Sequence, residues 1–67
     1  MTTSDEDRAD EAFEEGNRLY EAGDFAGALA AYDRALELRP DHPATLANRA
    51  SALNQLGRNE EALADNH

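Results

Sequence analysis

The chain contains no cysteine, lysine, isoleucine or valine, and each absence removes a class of protein. Without cysteine there is no disulfide scaffold, no thiolate zinc site and no thiol nucleophile. Without β-branched aliphatics, and with abundant Ala, Leu, Glu and Arg, the composition speaks against strands and for helices. No apolar run approaches the roughly 20 residues that a membrane span needs. The acidic start Met1-Thr2-Thr3-Ser4-Asp5 is unlike a signal peptide, and a cytoplasmic location is expected. What is present is small and plain: the hydrophobic 40% of 67 residues is mostly 14 Ala and 8 Leu. A chain of this length makes one domain, burying about 60% of the surface that its unfolded form exposes.

Fifteen acids against six bases, all arginine, give a net charge of −9. Such a field repels nucleic acid and anionic lipid, because phosphate binding is driven by Lys and Arg. The acids are concentrated early, with seven between Asp5 and Glu15 against Arg8 alone. Carboxylates at a helix start complement the macrodipole.

Capping and breaking residues punctuate the sequence. Thr3-Ser4-Asp5-Glu6 fits a capping box with Thr3 as N-cap, and Ala9, Ala12, Phe13, Gly16, Leu19 and Tyr20 follow at helical spacing. Gly23 suits a left-handed cap. Asp24 can cap a second helix, carrying Phe25, Ala28, Leu29, Tyr32, Ala35, Leu36 and Leu38 and stopped before Pro40. Asp41-His42-Pro43 restarts helix, and Leu46, Ala47, Ala50, Leu53 and Leu56 form the stripe of a third, closed by Gly57. A fourth is expected from near Asn59 through Ala62 and Leu63. Short connections make neighbours antiparallel, giving an all-α pair of helical hairpins.

The sequence also repeats itself. At an offset of 34, Leu19 meets Leu53, Gly23 meets Gly57, and Ala28-Leu29-Ala30 meets Ala62-Leu63-Ala64. A period of that length, one helix-turn-helix each time, signals stacked repeats. Residues 9–42 resemble one complete tetratricopeptide repeat. The likeness lies in Gly16 at the helix crossing, Leu19-Tyr20 before the turn, Gly23-Asp24-Phe25 in it, Ala28, Tyr32 and Ala35 on the second helix, and Pro40 as terminator. Residues 43–67 resemble a second, truncated repeat, and residues 1–8 form an acidic segment and helix start. Asn59 and Asn66 stand where Phe25 and Tyr32 would recur, so the second repeat lacks two aromatic anchors.

The resemblance implies an α-solenoid fragment that binds a peptide or helix of a partner protein, with the first helix of each repeat lining a concave face. Carried over by position, that face holds Asp10, Phe13, Glu14, Asn17, Tyr20 and Glu21, then Ala44, Ala47, Asn48, Ser51, Asn54 and Gln55. Phe13, Asn17, Tyr20, Asn48, Ser51 and Gln55 are the expected peptide contacts, while Gly16, Ala28, Leu29, Tyr32, Ala35, Leu53 and Ala62 are assigned to the core. Part of the family clamps carboxylate-ended tails with a Lys and an Asn on the first helix, an Asn on the third and bases on a fifth. Asn17 and Asn48 match the amides, but Phe13 stands in place of the Lys. A basic or neutral peptide is therefore the expected partner.

Two other roles fit the pattern. Leu46, Leu53, Leu56 and Leu63 could support self-association, by face-to-face packing into a homodimer or by exchanging the fourth helix through Gly57-Arg58-Asn59. The chain could equally be a piece of a longer array. Catalysis is not expected: no nucleophile is placed near a base, no Gly-rich phosphate loop is written, and His42 between Pro40 and Pro43 reads as a cap or a solvent-facing residue. No cofactor is implied. The carboxylates Glu60, Glu61 and Asp65 with His67 lie along one helix face, which rarely closes a metal site.

Overall fold

A computed structural model describes residues 4–65, with the side chains described for 4–58 and 60. These residues form three helices: α1 (Asp5–Glu21), α2 (Phe25–Leu38) and α3 (Pro43–Asp65). The pairings Gly16–Tyr32 and Asp33–Arg49 run α2 antiparallel to both neighbours. α1 and α3 are therefore parallel, side by side across α2.

Local chemistry sets most boundaries. The N-cap of α1 is Ser4, one residue later than the sequence pattern suggests; its hydroxyl accepts from the Asp7 N–H at 3.2 Å, and Thr3 lies outside the described residues. At the far end Gly23 adopts φ +87°, a left-handed conformation that strains any residue with a Cβ. Its N–H donates to the Tyr20 carbonyl at 3.0 Å and the Asp24 N–H to that of Leu19 at 2.9 Å, so the carbonyls at the helix end are satisfied. Asp24 then caps α2, its carboxylate accepting from the Gly27 N–H at 3.0 Å. Tyr20 and Phe25 meet edge to face across this turn, with ring centroids 5.1 Å apart. His42 is the cap that its position between two prolines suggests. Its Nδ1 accepts from the Thr45 N–H at 3.3 Å and lies 2.6 Å from the Thr45 hydroxyl, while Pro43 needs no partner in the first turn.

The second turn does not form. α3 passes through Gly57 as one helix of 23 residues, so the expected break at Gly57 and the separate fourth helix from Asn59 are not found. The reason is legible at the repeat offset. Gly57 is kept, but three other devices holding the first turn are missing from the second: Tyr20 is replaced by Asn54, Asp24 by Arg58, which has no acceptor to cap a helix, and Phe25 by Asn59. Gly57 in helical conformation costs only about 1 kcal/mol relative to alanine. Restoring the devices should restore the turn. In the Arg58→Asp, Asn59→Phe double variant we expect the backbone Cα chemical shifts at 57–59 to lose their helical displacement; helical shifts that persist there would contradict this explanation.

Close approach of the helices is achieved with small residues. The buried set is Ala9, Ala12, Gly16, Ala28, Ala31, Ala35, Thr45 and Ala52 around one large side chain, Tyr32, which is 1% exposed. Phe13, Leu19, Tyr20 and Leu29 pack half-buried against this cluster. The face that α3 presents to α2 differs from the leucine stripe expected of it. Thr45 and Ala52 are buried, with Leu56 half-buried beside them, whereas Leu46 and Leu53 are 48% and 46% exposed and Ala50 is exposed. The core assignment of Leu53 is thus overturned: α2 already offers the broad ring of Tyr32, and a ring packs against a methyl more closely than against another bulky chain. Ala62 and Leu63 lie outside the residues with described side chains. An exposed ion pair, Arg49 Nε to the Asp33 carboxylate at 2.5 Å, ties α3 to α2; exposed pairs of this type contribute about 0–1 kcal/mol.

Candidate functional site

The parallel helices α1 and α3 leave between them an open groove of about 300 Å³, lined by Asn17, Tyr20, Glu21, Tyr32, Asn48 and Ser51. One residue from each helix meets at its floor. The Tyr32 hydroxyl donates to Asn17 Oδ1 at 2.6 Å, and Asn48 Nδ2 donates to the same oxygen at 2.9 Å. Both lone pairs of Asn17 Oδ1 are thereby used. Among the described residues the Asn17 NH₂ group and the Asn48 carbonyl oxygen make no hydrogen bond, so the two lining residues keep one donor and one acceptor unused. That pair is complementary to the C=O and N–H of an extended peptide.

The groove has an acidic character. Among the described residues the Glu21 carboxylate is the only charge in the groove lining, and no base accompanies it. Burial pushes the Tyr32 phenol above its ordinary value of 10.0; Asn48 opposes the shift, and Tyr20 and Glu21 add to it. The sign is that of an acid held neutral in the fold. The contribution is fully present below pH 10 and is lost as the pH rises through the folded value. We therefore expect stability to fall with rising pH above about 10, and the Tyr32→Phe variant to lose that part of the dependence. Denaturant midpoints measured on both sides of that pH check this.

Four of the six expected contacts, Asn17, Tyr20, Asn48 and Ser51, come together here. Phe13 does not join them. Its ring is half-buried, 5.3 Å from that of His42 in an edge contact and 6.0 Å from that of Tyr32, so it wedges α1 against the start of α3. Gln55 is half-buried one turn beyond Ser51 and does not line the groove. The residue that the sequence pattern consigns wholly to the core is Tyr32, whose ring is buried and whose hydroxyl reaches the groove floor. A buried phenol needs a partner, and this was the available signal. Glu61, Asp65 and His67 of the acidic terminal cluster lie outside the residues with described side chains.

Helical hairpins stacked so that alternate helices run parallel along one groove define the α-solenoid class of repeat scaffold. Within that class the chain belongs to the tetratricopeptide repeat family, whose model matches residues 13–66. It is 49% identical over 55 residues to the TPR repeat-containing thioredoxin TTL4 of Arabidopsis thaliana, covering 82% of this chain and 8% of that protein. It is 41% identical over 64 residues to the small glutamine-rich tetratricopeptide repeat-containing protein 2 of Mycosarcoma maydis, covering 92% of this chain and 18% of that one. A third relative, Hsp70-Hsp90 organizing protein 3 of Arabidopsis thaliana, is 37% identical over 57 residues, which is 85% of this chain and 10% of that protein. The chain thus spans less than a fifth of the length of each of these relatives. No solved structure is a significant match. Among the described residues no helix is long and apolar enough to cross a membrane.

Proposed function

We propose that this chain is a non-enzymatic protein-interaction module whose groove between α1 and α3 holds a short segment of a partner protein. The observation that carries the reading is the shared acceptor at Asn17 Oδ1: Tyr32 and Asn48 both bond to it, which leaves one amide donor and one amide acceptor unused on two residues that line the groove. Paired amides fixed in this way meet a peptide backbone without reading its side chains. Tyr20 supplies contact area at low entropic cost. The family supports the role, and one relative is named for organising two other proteins, Hsp70 and Hsp90.

The partner segment is neutral or basic. Phe13 occupies the position where a carboxylate clamp needs its cation, the groove lining carries Glu21 and no base, and the net charge is −9. An anionic tail would enter against the field with no arginine or lysine to receive it. The two proposed repeats are residues 9–42 and 43–67, and the setting is cytoplasmic.

Fluorescence anisotropy with ten-residue peptides of basic, neutral and acidic composition tests this. The expected order places basic and neutral peptides above acidic ones. Asn17→Ala and Asn48→Ala should each weaken binding by about tenfold, the loss of a hydrogen bond or two. Preferential binding of acidic peptides would defeat the charge assignment, and binding indifferent to both substitutions would defeat the groove.

A further inference from the structure

α3 has a second face, away from the groove, that the fold leaves open. The 34-residue repeat aligns Ala12, Gly16 and Leu19 of α1 with Leu46, Ala50 and Leu53 of α3. On α1 these positions are covered: Ala12 and Gly16 are buried and Leu19 is half-buried in the core cluster. On α3 they are exposed, Leu46 at 48% and Leu53 at 46%, because the helix runs straight past Gly57 and none of the described residues folds back over them. Their spacing of four and then three, continued by Gly57 four residues on, is the rhythm of a helix–helix seam. At about 100° per residue, this seam lies on the flank of α3 opposite Asn48 and Ser51, so it is separate from the groove.

Charge selects the occupant. From His42 to Asn59 the sequence has no Asp or Glu, its longest acid-free stretch, whereas α1 alone carries eight acids against two arginines. Two copies of net charge −9 repel each other over α1, and they approach at least cost where the acids are absent. We infer that this seam is a self-association surface: α3 pairs with α3 of a second copy, antiparallel about a two-fold axis at Ala50. Leu46 then packs on the partner's Leu53 and the reverse, an isologous contact with a methyl group at its centre to let the helices close. Two leucines and an alanine per copy make a small interface, which sets a weak dimer, with a dissociation constant on the order of 100 µM.

Sedimentation equilibrium across about 10 µM to 1 mM measures this directly on the intact chain. The expected result is a mass rising from 7.3 kDa toward twice that value, with the association strengthened by added salt as the −9 charges are screened. Leu53→Glu should weaken the dimer at least tenfold while circular dichroism shows the helices intact, since Leu53 is half out in solvent. Ala50→Cys, the sole cysteine of that variant, should cross-link two copies under mild oxidation. A monomer at every concentration overturns the inference, as would closure of residues 59–65 over the seam within one chain, which gives the same monomer. It is also overturned by a dimer that salt dissociates, by one indifferent to Leu53→Glu, or by one that Ala50→Cys does not trap.

Discussion

Tyr32→Ala is expected to leave the chain largely unfolded at 25 °C. Tyr32 is the largest fully buried side chain among the described residues and the point at which the three helices meet. Its ring lies under Gly16 of α1, centroid 6.0 Å from that of Phe13, and in one cluster with Ala52 of α3, while its hydroxyl holds Asn17. Truncating a buried aromatic to alanine costs about 3–5 kcal/mol. A chain of this length has a total stability of about 3–10 kcal/mol, and the remaining core is alanine, which cannot move in to fill the space. Tyr32→Phe provides the contrast. It keeps the ring and loses only the hydrogen bond to Asn17, about 1 kcal/mol, so it should fold and melt a few degrees lower. Thermal melts followed by circular dichroism separate the two. A Tyr32→Ala variant that retains a cooperative transition near the parent's would mean that the ring is not the centre of the core.

Gly16→Ala should be the second most damaging single change, although alanine is the better helix former by about 1 kcal/mol. A Cβ at position 16 would fall within 3.0 Å of three ring atoms of Tyr32, closer than packed atoms tolerate. The ring must move, and the ring also orients Asn17. Overpacking of this kind costs about 1–3 kcal/mol, so a net loss of up to about 2 kcal/mol remains after the helix gain. Because the two residues share one contact, their effects should not add. In the background of Tyr32→Leu, the alanine at position 16 should cost less than it does alone, or even stabilise. Denaturant midpoints of the four proteins in that cycle give the coupling; strict additivity would show that the clash is relieved elsewhere.

These two residues also indicate what sequence reading could and could not reach. The caps at Asp24 and His42, the left-handed Gly23 and the stop before Pro40 were legible because each follows from the chemistry of one or two neighbouring groups. Gly16 was legible as a small residue at a crossing. The orientation of α3 was not. A leucine stripe at positions 46 and 53 outweighs Thr45 and Ala52 in any count of apolar spacing, yet α2 presents a ring, and small side chains pack on it more closely. The continuous helix through Gly57 escaped for a related reason. A glycine at the repeat position suggests a turn, but the turn at Gly23 depends on Asp24, Tyr20 and Phe25, and their counterparts are Arg58, Asn54 and Asn59. In the groove, the amides at 17 and 48 stand out in the sequence only through their likeness to a family motif. Their joining through Tyr32 needed the third dimension.

That junction is the centre of the functional reading, and side-chain amide resonances report on it directly. In a nitrogen–proton NMR titration with a basic or neutral ten-residue peptide, the NH₂ signals of Asn17 and Asn48 should shift together and saturate with one affinity, along with the backbone amide of Ser51, while the methyl groups of Leu46 and Leu53 on the far flank of α3 stay in place. Shifts confined to that outer flank, with both asparagine amides unmoved at saturation, would contradict the reading.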